Sequence, residues 1–226
     1  GCSAGGHQAM SEAQRYPEDY DGIIAGAPAH NRIRQTFGFA HSWLATHNTD
    51  GSAILTAAKL AIVTKAAVAA CDANDGLKDG LIEDPRKCAF DASSLACKAG
   101  ADESTCLTPP QVEAVRKVHE GAKNPRTGEQ IFTGWPRGSE GFGDSAGQSW
   151  RQYITDQKEP ARVGVFKYWL FNDPNWDFRT LDFDRDFAYA TERLPMLHAV
   201  DTNLAPLKKA GAKLISYAGW VDPVLA

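Results

Sequence analysis

The start of the chain carries a hydrophobic pattern typical of an α/β sheet. Residues 7–16 (HQAMSEAQRY) predict a helix, and Pro17 directly after them marks its end. The apolar run at 21–28 (DGIIAGAP) then predicts a short buried strand. A helix followed by a strand is the building unit of a sheet that is covered by helices.

A similar pattern returns near the end of the chain. Residues 204–211 (LAPLKKAG) predict a short helix that a glycine ends, and residues 212–219 (AKLISYAG) predict another strand. The fold class is therefore α/β. We predict that residues 1–30 and 196–226 together form one sheet core.

The middle of the chain lacks this pattern, and we predict that residues 31–195 form one large inserted lid domain. Helical patterns cover 56–70 and 109–121. The glycine-rich segment 134–147 is expected to lie on the surface.

Aromatic residues concentrate at the end of this middle part. Residues 163–189 hold nine of the 22 aromatic side chains of the chain. Each of them can belong to the core of the lid. A cluster of this density also suits a wall that stacks on an aromatic ligand.

Composition narrows the class of protein. The net charge is −4, and hydrophobic and charged contents of 43% and 23% are ordinary for a soluble globular protein. No run of Lys and Arg stands out, and no apolar run is long enough to span a bilayer. We therefore expect neither a nucleic-acid partner nor a membrane partner. The absence of an Asn-x-Ser/Thr sequon favours a bacterial source.

The first six residues, Gly-Cys-Ser-Ala-Gly-Gly, match the Gly-x-Ser-x-Gly pattern of a nucleophile elbow. Small residues flank such a serine because the chain turns sharply from strand to helix there. The turn exposes the hydroxyl of Ser3 and directs the N–H of Ala4 at a developing oxyanion. The alternative is a glycine-rich turn without chemistry. Because an elbow follows a strand, we expect the chain to be an internal piece of a longer protein.

Five cysteines suggest a disulfide framework with one cysteine left over. Local pairs Cys71–Cys88 and Cys97–Cys106 are the most economical arrangement, and they leave Cys2 unpaired. Disulfides predict an oxidising compartment, so that the protein is secreted or periplasmic. The alternative is a set of buried free thiols in a cytosolic protein.

The loop at 71–84 (CDANDGLKDGLIED) concentrates carboxylates between glycines. Asp72, Asp75 and Asp79 supply the oxygen ligands that calcium prefers, although the spacing is not that of an EF-hand. We predict a structural calcium ion here. The alternative is a solvated acidic turn.

The order of catalytic residues in an α/β-hydrolase is Ser, then Asp or Glu, then His. Asp222 follows the second predicted strand, where the acid of such a triad belongs. All six histidines precede Asp222. We therefore expect the catalytic base to lie outside this chain, which by itself should be inactive. His7 is expected to pack within its helix or to line a pocket.

Taken together, Gly-Cys-Ser-Ala-Gly-Gly, the Cys-Asp-x-x-Asp-Gly-x-x-Asp-Gly loop and the Gly-Trp-Val-Asp-Pro segment ending at Pro223 resemble the tannase/feruloyl esterase family. The resemblance spans nearly the whole chain. It implies a partial α/β-hydrolase core with a large calcium-binding lid. It also implies that Cys2 pairs with a cysteine beside the catalytic histidine, and that the carbonyls of Leu77 and Leu81 join the three aspartates around calcium.

The resemblance implies a serine esterase that acts on small esters of aromatic acids. Ser3 would attack the ester, Asp222 would orient the histidine and Ala4 would supply half of the oxyanion hole. Two alternatives stay open: a serine hydrolase of peptide or thioester bonds, and a non-catalytic calcium-stabilised binding domain.

Overall fold

The computed structural model describes residues 1–141, 150–220 and 222. In this part the helices are α1 (Ala4–Arg15), α2 (Arg32–Thr46), α3 (Ala57–Cys71), α4 (Pro109–Glu120), α5 (Arg185–Arg193) and α6 (Ala205–Lys209), and the strands are β1 (Gly22–Gly26) and β2 (Lys213–Tyr217). Short 3₁₀ turns lie at Asp72–Asp75, Pro85–Lys87, Ala92–Leu95, Glu103–Thr105, Phe178–Thr180 and Pro195–Leu197, and wide helical turns at Arg151–Thr155 and Val165–Leu170.

The two strands form a parallel pair, as expected for two strands separated by a long connection. Cys2 makes a parallel bridge with Gly26 on the other side of β1, so β1 lies between Cys2 and β2. Both strands occur where the hydrophobic pattern predicted them. The prediction that β1 is buried is correct for one face only, because Ile24 points to the other face and is 57% exposed.

Helix α1 covers the buried face of the sheet. Ala13 of α1, Ile23 of β1 and Leu207 of α6 form a small buried cluster. The sequence predicted all three elements. The two helices have clear end signals, because Pro17 follows α1 and Gly211 follows α6 with a φ of 81°.

Helix α2 was not predicted. It lies at the centre of the part formed by residues 31–195, which is called the helical part from here on. Ten of its fifteen residues are buried, on all sides of the helix, so it shows no single apolar stripe. Phe37 makes edge-to-face contacts with Phe166, Phe183 and Phe187 at centroid distances of 5.1–5.6 Å. These contacts join α2 to the aromatic tract.

The aromatic tract is mainly core, in agreement with the first of its two interpretations. Phe166 and Phe178 are 1% and 3% exposed, and Phe178 packs edge-to-face on Trp43 of α2. Tyr168 and Trp169 are 61% and 57% exposed and lie outside the core. Burial of several rings against α2 explains why this segment is so rich in aromatic residues.

The two predicted local disulfides are confirmed. Cys71 bonds to Cys88 and Cys97 bonds to Cys106, with Cα–Cα distances of 5.3 and 5.0 Å. Cys2 is a free, exposed thiol. The free-thiol alternative for the other four cysteines is therefore wrong.

The prediction of a surface position for the glycine-rich segment is wrong for its first half. Trp135, Ser139 and Glu140 are at most 2% exposed. The glycines are needed for close packing: a Cβ on Gly134 would lie 2.5 Å from the carbonyl oxygen of His119. Residues 142–147 of this segment lie outside the described residues.

The described part contains two separate buried clusters. The small one lies within residues 1–30 and 196–226, and the large one extends from Ile33 to Leu197, two residues past the predicted end of the lid. The division into a core and an inserted lid stays a prediction, which this separation supports. No helix of the described part is long and apolar enough to cross a membrane.

Candidate active site

Ser3 occupies the sharp turn between the bridge at Cys2 and the first residue of α1. Its backbone has φ 56° and ψ −116°, in the left-handed half of conformational space that residues with a Cβ rarely adopt. Its N–H donates to the carbonyl oxygen of Gly26 (3.0 Å), and its carbonyl accepts from His7 N (3.0 Å). The side chain makes no cap hydrogen bond and the residue is exposed. The hydroxyl of Ser3 is therefore held at the surface of a strained turn.

Two glycines of the opening segment are required by close backbone contacts. A Cβ on Gly1 would lie 2.9 Å from the backbone of Gly5, and a Cβ on Gly6 would lie 2.4 Å from the carbonyl oxygen of Gly26. The helix therefore approaches the sheet more closely than any other residue type would permit. Of the two glycines in the Gly-x-Ser-x-Gly pattern, only Gly1 is required by such a contact, because a Cβ on Gly5 would meet nothing within 4 Å; the contact of Gly6 with the sheet favours an elbow over an unspecific glycine-rich turn.

Ala4 is the first residue of α1. The first N–H groups of a helix have no partner within the helix, and they carry the positive end of its dipole. The N–H of Ala4 is therefore suited to bind a negative oxygen formed next to Ser3.

Asp222 follows β2 at the same edge of the sheet. Strands β1 and β2 are parallel, so the segments after Gly26 and Tyr217 leave the sheet side by side, and Ala27 N donates to Tyr217 O (2.6 Å). Asp222 is half-buried, and its N–H donates to the carbonyl oxygen of Gly219 (3.2 Å). Ser3 and Asp222 thus lie at the carboxyl ends of neighbouring chain segments, the edge where α/β sheets bind ligands.

Asp222 also faces the helical part of the molecule. Burial raises the pKa of the Tyr153 phenol, and the negative charge of Asp222 raises this pKa further. Asp222 lines a cavity of about 580 Å³ together with Trp135, Arg137 and Trp220. In the described part, the wall of this cavity includes Asp222 and does not include Ser3.

A buried histidine and glutamate stand behind the cavity, and no sequence pattern indicated them. His119 lines the cavity, and its Nε2 lies 2.7 Å from Oε1 of Glu140. Glu140 is fully buried and also accepts hydrogen bonds from Thr64 Oγ1 (3.0 Å) and Gly138 N (3.0 Å). Most of these partners lie far apart in the sequence. No local sequence pattern could therefore have indicated that they form a cluster.

His7 is buried between α1 and the segment that follows β1, in agreement with the interpretation that it packs. It is 9% exposed, and its Nδ1 donates to the carbonyl oxygen of Ala29 (3.1 Å). Burial lowers the pKa of His7, and the charge of Arg32 lowers it further. Both effects favour the neutral form of His7.

The acidic loop carries carboxylate oxygens, which are the kind of ligand that calcium binds. Oδ1 of Asp72 accepts hydrogen bonds from Asp79 N (3.1 Å) and Gly80 N (3.0 Å), which folds this part of the loop back onto Asp72. Asp75 and Asp79 each accept from the N–H two residues later. Each carboxylate uses one oxygen in these bonds and retains the other, and oxygen is the ligand that calcium takes. In the described part, no three such side chains gather into one metal-binding group.

Comparison with known proteins gives one consistent result. The model of the family described as tannase and feruloyl esterase matches residues 1–226. An uncharacterized esterase of Xanthomonas campestris is 36% identical over the whole chain, and feruloyl esterase C of Talaromyces stipitatus is 32% identical over the whole chain. The crystal structure of feruloyl esterase B from Aspergillus oryzae superposes with a TM-score of 0.89 at 31% identity, and the chain is covered completely. The chain spans 41%, 41% and 44% of these three proteins, less than half of each.

Proposed function

Since the chain belongs to the tannase and feruloyl esterase family, we propose that it is the nucleophile-bearing part of a serine esterase that acts on esters of aromatic acids. The fold in this proposal is an α/β-hydrolase core, of which residues 1–30 and 196–226 form a part, with residues 31–195 as a lid. The relatives named as feruloyl esterases support the choice of substrate class.

The backbone of Ser3 is the observation that carries this proposal. A non-glycine residue at φ 56° and ψ −116° costs of order 1–3 kcal/mol, and such strain persists mainly at functional sites. At an elbow, the strained turn separates the serine hydroxyl from its neighbours and puts it beside the start of a helix. In a turn without a function, glycine would adopt this conformation without strain, and nothing would favour serine over it.

The proposed reaction proceeds through an acyl-enzyme. Oγ of Ser3 attacks the ester carbonyl carbon and gives its proton to a histidine supplied from outside this chain, and the N–H of Ala4 stabilises the oxyanion. The alcohol then leaves with that proton, and water hydrolyses the acyl-enzyme to release the acid and regenerate Ser3. Asp222 orients the histidine and stabilises its charged form.

The test uses the longer protein that contains these residues, with methyl ferulate and methyl gallate as substrates. Ser3→Ala should lower kcat/KM by at least a few hundredfold without loss of folding, because only the attacking oxygen is removed. Ser11→Ala is the matched control, since Ser11 lies in the helix that follows Ser3, and it should keep wild-type turnover. An unchanged kcat/KM in Ser3→Ala would refute the assignment of the nucleophile. Turnover of thioesters or peptides alone would favour a serine hydrolase of another bond.

We also propose that the acidic loop binds a structural calcium ion, with Asp72, Asp75, Asp79 and the carbonyls of Leu77 and Leu81 as ligands. The confirmed disulfide between Cys71 and Cys88 supports this proposal, because it closes the loop at its two ends. The loop belongs to the helical part and not to the sheet edge that carries Ser3. The role of the ion would therefore be stability and not chemistry.

Thermal unfolding with and without a chelator tests this proposal. Removal of calcium should lower the melting temperature, because a ligand that binds only the folded state stabilises it. Asp72→Asn should abolish the calcium-dependent shift. Asp91→Asn is the control, since Asp91 also accepts an N–H two residues later but lies outside the loop. A melting temperature that is insensitive to both chelator and calcium would exclude the site.

The two disulfides further support a secreted or periplasmic location, because disulfides persist in oxidising compartments. Separation of cell fractions followed by immunodetection tests this. A protein found only in the reduced cytosol would contradict it.

A further inference from the structure

We propose that Arg137 forms an anion-binding subsite in the 580 Å³ cavity, which binds the carboxylate of an aromatic acid while its ring lies against Trp220. This inference deepens the proposed function and rests on it only for the statement that the ligand is the substrate or the product of an esterase.

Arg137 is held in place by the main chain and not by a carboxylate. Its Nε donates to the carbonyl oxygen of Phe90 (2.7 Å), and Phe90 itself is buried. Arg137 is half-buried at the wall of the cavity. A guanidinium fixed through Nε keeps its two terminal nitrogens for a ligand, in the planar geometry that matches a carboxylate.

The carboxylate of Asp91 is near Arg137 but is committed elsewhere. Hydrogen bonds from Ser93 lower the pKa of Asp91, and the charge of Arg137 lowers it to a lesser extent. Among the side chains that the structure describes, neither Asp91 nor any other carboxylate forms an ion pair with Arg137. Within residues 1–141, 150–220 and 222, no carboxylate therefore neutralises the charge of Arg137 by direct contact.

The second arginine of the cavity provides a contrast. Arg86 makes a two-point contact with Asp84, from Nε to Oδ1 (2.8 Å) and from Nη2 to Oδ2 (2.9 Å). Its guanidinium also lies over the ring of Trp220, 4.7 Å from the centroid. The charge of Arg86 is therefore already matched by direct contact, whereas the charge of Arg137 is not. A partly desolvated cation in this state favours the binding of an anion.

The rest of the cavity is suited to an aromatic ring. Trp135 is held rigidly by edge-to-face contacts with Phe39 and Trp150 at 6.0 and 5.8 Å. Trp220 is 47% exposed, with Arg86 over its ring. The volume of about 580 Å³ lies within the range of small-molecule sites.

Asp222 determines the orientation of the ligand. It lines the same cavity, and its negative charge repels a carboxylate. The carboxylate of a bound aromatic acid is therefore expected at Arg137, with the ring between it and the segment that carries Asp222.

Binding measured by tryptophan fluorescence and by titration calorimetry tests this without any turnover, on the longer protein that contains these residues. The probes are benzoate, methyl benzoate, which is aromatic but neutral, and cyclohexanecarboxylate, which is anionic but not aromatic. The variants are Arg137→Gln, Arg137→Lys and, as a control for net charge, Arg126→Gln, which removes an exposed cation paired with Asp184. Thermal unfolding of each variant shows whether it is folded.

Wild type should bind benzoate at least about tenfold more tightly than either of the other two probes, as expected for a charge-assisted hydrogen bond combined with ring contact. Arg137→Gln should lose about tenfold or more in benzoate affinity and less than about twofold in methyl benzoate affinity. Arg126→Gln should bind as wild type does. If Arg137→Gln fails to fold, Arg137→Lys serves as the test. Lysine keeps the positive charge but lacks the planar pair of terminal nitrogens. The affinity for benzoate should therefore fall, and the affinity for methyl benzoate should stay unchanged.

Equal affinity of wild type for benzoate and methyl benzoate would overturn the proposal. So would a full preference for benzoate in the folded Arg137→Gln variant, or no binding of benzoate at all. Two further arms in the longer protein distinguish the source of the carboxylate. Competitive inhibition of ester hydrolysis by benzoate shows that the subsite overlaps the substrate site, and a lower KM for esters that carry a second, free carboxylate identifies the substrate as the source of that carboxylate. Failure of the Ser3 test would leave the benzoate result unaffected, and the two proposals are therefore tested separately.

Discussion

Replacement of Ser3 by glycine should stabilise the chain relative to replacement by alanine, although glycine usually destabilises a protein. The comparison isolates the backbone, because neither variant has the hydroxyl, and the hydroxyl of Ser3 makes no cap hydrogen bond. An alanine at this position must adopt the same φ of 56° as the serine, whereas a glycine adopts it without a steric cost.

The magnitude follows from two opposing terms. Release of the strain at φ 56° and ψ −116° should contribute about 1–3 kcal/mol. The greater freedom of glycine in the unfolded chain costs about 0.4–1 kcal/mol. Ser3→Gly should therefore exceed Ser3→Ala in free energy of unfolding by roughly 0.5–2 kcal/mol. In a chain of this length each kcal/mol shifts the melting temperature by about 2–4 °C.

Urea unfolding followed by circular dichroism measures this difference, and Ser11 supplies a control of opposite sign. Ser11 lies inside α1, where glycine is about 1 kcal/mol less favourable than alanine, so Ser11→Gly should be less stable than Ser11→Ala. A Ser3→Gly variant that is less stable than Ser3→Ala would show that Ser3 is not strained, and would remove the observation on which the proposed function depends.

Three further predictions concern the helical part. Glu140→Ala should lower the free energy of unfolding by about 1–3 kcal/mol in urea, because it leaves buried groups of His119 and Thr64 without their hydrogen-bond partner, whereas Glu129→Ala in an exposed pair should cost at most about 1 kcal/mol. Burial lowers the pKa of His47 in the folded chain, so below about pH 6.5 the unfolded chain binds more protons than the folded chain. The free energy of unfolding should therefore fall as the pH drops through about 6.5. NMR titration of His47 checks this pKa. Loss of the Cys71–Cys88 disulfide should cost about 2–4 kcal/mol in thermal unfolding.

The parts of the fold that the sequence predicted all carry local signals. Helix α1 has Pro17 behind it, and α4 has Thr108 as its N-cap, in a reciprocal contact with Gln111, and Gly121 at its end. The turn at Ser3 was predicted because Gly1, which the backbone of Gly5 approaches closely, belongs to the short Gly-x-Ser-x-Gly pattern and can be recognised in the sequence.

The parts that were missed depend on contacts distant in sequence. Helix α2 is buried all round, so the apolar periodicity that marks a surface helix is absent. Glu140 lies in a glycine-rich segment that resembles a surface loop, and only its contacts with Thr64 and His119 explain its burial. The cavity combines residues 85–86, His119, residues 133–137, residues 218–220 and Asp222, and no local pattern indicates that these parts of the chain meet.

The position of the cavity suggests which part of the chain serves catalysis and which part serves substrate binding in the proposed esterase. Ser3 and Ala4 lie at the sheet edge, whereas Trp135 and Arg137 belong to the helical part, and the segment that carries Asp222 reaches from one to the other. Substitutions in the wall contributed by the helical part should then act mainly on KM, because they remove contacts made equally in the bound substrate and the transition state. Substitutions at Ser3 should act on kcat. A wall variant such as Arg137→Gln that lowered kcat at unchanged KM would show instead that the helical part takes part in the chemical step.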